Sequence, residues 1–374
     1  MKSWPVLSEI SIHPSAGTAL QHLERNSNGL IAFTAGGAST HKKARDIFTM
    51  RPDGILIPKK LEIPVEGVPS HPAWSPGGTQ IAFGLRQGKD LWNLWVLDLE
   101  SSSATQVTFF GAGEGAVLWP AWSPDGNHIA FDHGTQKDPW TTRSIYVVRA
   151  DGTDDQPLLP ISSGGDSNHP SWSPDGSRIA FARFRPQWMG PPLSQIFTMD
   201  PDGTDSQFLT NGMGPSWSPD GKSIAFELWS EPIGANPFPM NIHSIALDSK
   251  ESTQLTDSAK DELEPTWSPD GERILFVRMR QADPEVQDSD IYVMNSDGSD
   301  PVPLTSEKTQ RFWAPDWQRR PGPRSTPRIS FRHELTMVVV DVDPEPEPGW
   351  TFTTRVEIRA APEGVRRDQG KTGR

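Results

Sequence analysis

Two histidines and one glutamate, His71, His169 and Glu264, each stand directly before a Pro-x-Trp string. Trp119, Gly214 and Ala314 hold the same place in three further copies, and Trp313 precedes the last of them. Imidazoles and a carboxylate are the groups that hold a transition metal or move a proton. Indoles beside them suit a peptide or a sugar ring. The spacing supports less than the residue types do. His71 and His169 are 98 residues apart, so no local ligand pattern joins them. An imidazole before proline can equally hold a strand end or fill a channel through hydrogen bonds. His71, Trp119, His169, Glu264 and Trp313 are therefore candidate binding residues, and no metal, cofactor or catalytic role is assigned to them.

Other chemistry is sparse. Trp92, Trp140, Trp188 and Trp229 recur in long, irregular stretches, where they could form an aromatic rim for a peptide or glycan or fold back under their own loops. The acidic runs "DSAKDELE" and "DPEVQDSD" lack the spaced oxygens and glycine of a calcium loop and read as solvated edges. No G-x-S-x-G elbow, phosphate loop, G-x-G-x-x-G or H-E-x-x-H string occurs. The absence of cysteine excludes disulfides, thiolate zinc sites and a thiol nucleophile. A net charge of −13 with no basic stripe argues against nucleic acid. No stretch is long and apolar enough for a membrane span, and the opening "MKSWPVLSEISIHPSAG" has no signal-peptide core. A cytoplasmic location, or an exporting segment outside this chain, is expected on that ground.

The elements that must position these residues are written in a repeat. Its tryptophans, Trp74, Trp122, Trp172, Trp217, Trp267 and Trp317, are 45 to 50 residues apart, the period of stacked supersecondary units. Each unit runs through "IAF" (strand B), an alternating "IYVM"-type run (strand C), a polar turn, a short strand ending near "LT" (strand D), and Pro-x-Trp (strand A). "SPDG" joins A to B, with proline presetting the turn, aspartate capping backbone amides and glycine taking the left-handed conformation. Alternation puts Trp122 and Ala121 on opposite faces of strand A, and Ile129 and Phe131 opposite Ala130 on strand B. Each sheet then has a bulky face and a small one, and stacking buries both. Six twisted four-stranded sheets bury all faces by closing a ring.

The motif P-x-W-S-P-D-G-x-x-I-A-F resembles the TolB-like, WD-like β-propeller repeat, over residues 27–318. The resemblance implies an all-β, six-bladed propeller of four-stranded antiparallel blades. Strand A of the last unit, "APDWQ", is expected to close the ring by joining the first B, C and D strands. Residues 1–26 have no clear repeat content, 319–327 read as a linker, and 328–374 as a partial β-rich extension with a disordered end. A degenerate seventh blade starting at Trp317 is the alternative.

Hairpin geometry puts the A–B and C–D turns on one face and the long B–C and D–A connections on the other. The residues leading into strand A are expected at a channel mouth on the long-loop face, with the "SPDG" turns facing away. The resemblance implies a monomeric, non-enzymatic scaffold outside the cytoplasm, periplasmic or extracellular, that binds a protein, a peptide or a glycan. The additional N-terminal domain of TolB is not expected in this chain, so the resemblance does not carry over a Tol–Pal role. The alternative is a propeller lyase or hydrolase, or an accessory propeller of a peptidase, with a site at the channel.

Overall fold

The computed structural model describes residues 28–37, 45–52, 58–135, 138–153, 156–157, 166–185, 193–230, 238–280, 288–305 and 310–319. Every regular element among them is a strand, and the strands form six four-stranded antiparallel sheets. The second sheet is typical: strand A is Val68–Trp74, B is Gln80–Gln87, C is Leu91–Asp98 and D is Ser103–Gln106, in that spatial order. The first sheet differs in connectivity. Its strand A, Gln310–Arg319, comes from the far end of the ring and pairs with Asn28–Gly37. Trp317 thereby sits opposite Ile31 and closes the propeller, which leaves no strand A at Trp317 for a seventh blade. The segments at 1–26 and 320–374 lie outside the described residues.

The blades stack as the alternation requires. Ala73 and Ala82 of the second blade pack against Trp122, Ile129 and Phe131 of the third. Ala32 meets Trp74, Ile81 and Phe83, and Ala225 meets Ile274, Phe276 and Trp267. The six phenylalanines of the B strands, from Phe33 to Phe276, are fully buried. A small face against a bulky face lets neighbouring sheets approach while the twist is kept, which is how interior packing density is reached with few aliphatic residues. The Trp122 indole also donates to Ala73 O at 3.1 Å, tying consecutive blades through a hydrogen bond.

The "SPDG" turns close as β-turns. Gly126 N donates to Ser123 O at 2.9 Å, and Ser123 N to His128 O at 2.9 Å. The Ser123 hydroxyl donates to Asp125 Oδ1 at 2.5 Å, which also accepts Asn127 N. These bonds hold the Asp125 carboxyl down at about 2, well into its charged form. Gly126, Gly176, Gly221 and Gly271 all have φ between 72° and 75°. A glycine is needed there because the left-handed region is strained for a residue with a Cβ.

Candidate functional site

The inner strands enclose an axial cavity of about 320 Å³. Strand A of every blade contributes the same run to its wall, from the residue before the proline through the tryptophan toward the turn. His71, Trp119, His169, Gly214, Glu264 and Ala314 form its inner end, while Pro76, Pro124, Pro174, Pro219 and Pro269 of the turns, with Arg319, stand at the other. The candidate channel-mouth residues line one end of the cavity, here called its floor, and the "SPDG" prolines line the other. The whole length of strand A, rather than its entry, faces the axis.

All six floor residues share one backbone conformation, with φ from 47° to 57°. Five carry side chains, two of them imidazoles and one an indole, for which the left-handed region costs of order 1–2 kcal/mol each. Each coincides with a break in the ladder between strands A and B, as between Ser70 and Ala73 opposite Gly84 and Ala82. A following proline disfavours the right-handed helical region, and the bulge takes the left-handed one and re-aims the side chain.

Four of the strained amides have side-chain acceptors on the preceding blade. Thr34 Oγ1 accepts His71 N at 3.2 Å, Asp132 accepts His169 N, and Glu227 Oε1 accepts Glu264 N at 2.6 Å. Each acceptor is the residue after "IAF" on strand B. The alternate blades carry Gly84, Ala182 and Val277 there. A Cβ on Gly84 would stand 2.2 Å from Val117 O, so no side chain fits. Ala314 N instead donates to Glu264 Oε2 at 2.5 Å. Of these acceptors only Glu264 was among the candidates from sequence, although aligning "IAFT", "IAFD" and "IAFE" shows a buried-strand position that is polar in every second copy.

The floor divides into two arcs. His71, Trp119 and His169 pack ring against ring, tilted by 56° and 37°, with centroids 4.5 and 3.8 Å apart. Burial pushes His169 down to about 3, helped by the nearby Arg143 charge, and holds His71 well below its ordinary range, with His169 and Arg143 adding to it. Both imidazoles are neutral at pH 7. Arg143 lies 5.0 Å over Trp119 and pairs with Asp132 at 3.0 Å, both side chains buried. On the other side, burial pushes Glu227 up to about 8 and Asp316 up to about 7, and raises Glu264. Asp316 Oδ2 accepts Trp74 N at 2.6 Å. The arrangement offers stacking surface and hydrogen bonds: His71 Nδ1 and Trp119 Nε1 are buried with no protein partner, while His169 Nδ1 meets Asn168 Oδ1 at 2.9 Å. Among the described residues no three histidine or acidic side chains converge in a way that would hold a metal.

The remaining candidates are scattered. Trp313 is buried beneath Arg45 and Arg311, outside the cavity wall. Trp92 and Trp229 belong to strands, opposite Arg86 and Met240, rather than to loops. Trp92 packs against the core shared by the second and third blades. Trp140 lies on a strand whose side chains there are outside the described set, and Trp188 is outside the described residues.

Comparison with known proteins agrees with this geometry. TolB from Acinetobacter baumannii superposes with a TM-score of 0.60 at 22% identity, covering 78% of this chain and 66% of that one, just under two thirds of its length. A TolB structure from Agrobacterium tumefaciens gives 0.53 at 22% identity, covering 74% and 89%. A propeller in a nidogen–laminin complex gives 0.57 at 11% identity, covering 78% and 98%. At such identities these likenesses show the fold alone. No curated protein matches the sequence. The family model described as the TolB beta propeller domain matches residues 59–213 and 135–320, more than half of the chain, and the chain belongs to that family.

Proposed function

We propose that this propeller is a binding module, an interaction scaffold that takes a side chain or short segment of a partner protein or peptide into the axial cavity and performs no chemistry of its own. The observation that carries the reading is the ring of six left-handed positions. Strain of this kind is retained where a surface has to present side chains in one fixed arrangement, and here it is repeated in every blade around a single cavity. The volume is at the lower end of the range for ligand sites, roughly 300–1,000 Å³, which suits one or two side chains. Neutral imidazoles, a free indole N–H and a rim of prolines favour an uncharged or aromatic group. Membership of the TolB-like family supports a docking role outside the cytoplasm, periplasmic or extracellular, as a monomer, since one chain closes the ring.

The test is capture of partners by the folded chain, repeated with Trp119→Ala and His169→Ala. A partner that is held by the wild type and lost at least tenfold by either variant supports the reading. Equal retention by both variants, or a stoichiometric metal that disappears in the His71→Ala, His169→Ala double variant, would replace it with the enzymatic alternative or with another face of the ring.

A further inference from the structure

Strand D is the last strand of every sheet, and an open strand edge is a template for one more strand. One row of side chains crosses each sheet to that edge. The buried phenylalanine of strand B pairs with a ring on strand C: Phe48, Trp95, Tyr146, Phe197, His243 or Tyr292. On strand D the row ends at Lys60, Gln106, Pro157, Phe208, Gln254 and Pro303. Five of these ends use the devices that keep edges from pairing. They are a lysine, a proline without an N–H, or a glutamine on a polar strand of four residues or fewer. The sixth edge also exposes Val302, but between Pro301 and Pro303. The fourth blade departs from the rule. Phe208 is 54% exposed, and it stands edge-on to Phe197 with centroids 5.8 Å apart and planes at 74°.

This strand D, Gln207–Asn211, is also the longest of the six, with five residues against two to four. In the second, fifth and sixth blades a threonine hydroxyl ends the ladder by taking a strand C amide. Thr108 Oγ1 accepts Leu94 N, Thr256 Oγ1 accepts Ile242 N and Thr305 Oγ1 accepts Ile291 N, each at 2.9 Å. In the fourth blade the register breaks at Leu209 and pairing then resumes, Thr210 with Ile196 and Asn211 with Gln195. Leu209 packs against the core shared with the fifth blade, while Phe208 stays out. Packing does not call for that exposed ring, since the other blades complete the same row with lysine, glutamine or proline. The strand itself is uncharged. The turn before it carries Asp200, Asp202 and Asp205 against one guanidinium, Arg178, which donates to Asp200 at 2.6 Å and to Asp205 at 2.8 Å. The turn end of the edge is therefore negative. Copies of a chain with net charge −13 repel one another, so the complement is a basic segment of another protein rather than a second copy.

We propose that the outer edge of the fourth blade, Gln207–Asn211, receives an extended segment of a partner protein as a fifth, antiparallel strand. Main-chain hydrogen bonds hold the segment, an apolar side chain rests on Phe208, and a lysine or arginine toward its C-terminal end lies beside the turn bearing Asp200, Asp202 and Asp205. This goes beyond the cavity reading, because the axis of the ring takes no part in it.

The experiment titrates the full chain with a capped peptide of alternating valine and threonine that ends in two lysines, read by calorimetry and by amide hydrogen exchange. A second peptide has proline at each threonine, and a third has glutamate at each lysine. The first is expected to bind and to slow exchange within 207–211, the second not to bind, and the third to bind more weakly than the first. Phe208→Lys, the choice of the first blade at this row, should weaken the first peptide at least tenfold with the melting temperature unchanged. Phe208→Gln, the choice of the second and fifth blades, should weaken it less. No binding by the wild type, equal binding of the proline or the glutamate peptide, wild-type affinity in Phe208→Lys, or exchange slowed elsewhere and not within 207–211 overturns the proposal. Dimerisation of the wild type in sedimentation that Phe208→Lys abolishes overturns it in favour of a second copy. A captured partner that Phe208→Lys retains and Trp119→Ala loses overturns the edge while the cavity reading stands. A partner that Phe208→Lys loses and both Trp119→Ala and His169→Ala retain upholds the edge and overturns the cavity reading.

Discussion

Replacing Glu227 by glutamine removes one titration while leaving an oxygen to accept Glu264 N, the bond that holds the floor residue of the next blade at 2.6 Å. Glu227 is pushed up to about 8 chiefly by burial, with Glu264 and Asp261 adding like charge. The folded chain therefore keeps a proton on Glu227 that the unfolded chain releases near its ordinary value of 4.5. A folded-state pKa that is raised contributes stability that is full below the unfolded pKa and is lost as pH rises through the folded one. The slope is about 1.4 kcal/mol per pH unit for one group, so between pH 5 and pH 8 the loss accumulates to about 4 kcal/mol. Asp316, up to about 7, and Asp132, up to about 6, act in the same direction. The histidines act oppositely: His169, down to about 3, and His133, down to about 4, give stability that is present above 6.5 and is lost as pH falls. Only the difference between wild type and Glu227→Gln isolates the one carboxyl. Denaturant unfolding followed by tryptophan fluorescence at pH 5, 6, 7, 8 and 9 should show the variant gaining on the wild type up to pH 8 and levelling beyond. Parallel curves, with a constant difference at every pH, would refute the buried, protonated carboxyl.

Trp317→Ala should cost about 3–5 kcal/mol, because the indole is buried among Ile31, Phe33 and Leu275 and belongs to the strand that closes the ring; an unchanged melting temperature would contradict that closure. Asp132→Ala should cost a similar ~3–5 kcal/mol, since it strands the buried Arg143 charge and the His169 amide; a loss below about 1 kcal/mol in urea unfolding would show that the ion pair is dispensable. Gly176→Ala should destabilise by about 1 kcal/mol or more, with φ at 74° and Pro124 Cγ 3.3 Å from the new Cβ. Gly77→Ala should be neutral or stabilise by up to ~1 kcal/mol, since the nearest atom is Thr79 Oγ1 at 3.9 Å and its φ is not left-handed. Equal effects at the two glycines would disprove the turn argument.

The blade order, the small-against-bulky stacking and the closing strand were legible because they are local and repeated: alternation sets the faces, and "SPDG" sets each hairpin. The left-handed floor was not. Five of its six positions carry residues that ordinarily avoid that region, and only Gly214 hints at it. Thr34, Asp132 and Glu227 were missed for a different reason. Each follows an apolar triplet and looks like a strand end turning to solvent, whereas the ring puts it against the next blade. What a repeat does not encode is the chemistry of residues that differ between copies.

The first blade borrows its innermost strand from the other end of the propeller, and this has a consequence for biosynthesis. Between the emergence of Asn28–Gly37 and that of Gln310–Arg319, a ribosome working at ~5–20 residues per second needs roughly 14–55 s. Throughout that interval the nascent chain presents an unpaired template strand, with Ile31 and Phe33 uncovered on it. A holding chaperone, or rapid release of the C-terminal portion, would be in greatest demand during this window, and a stalled or truncated translation product would be expected to aggregate through the same edge.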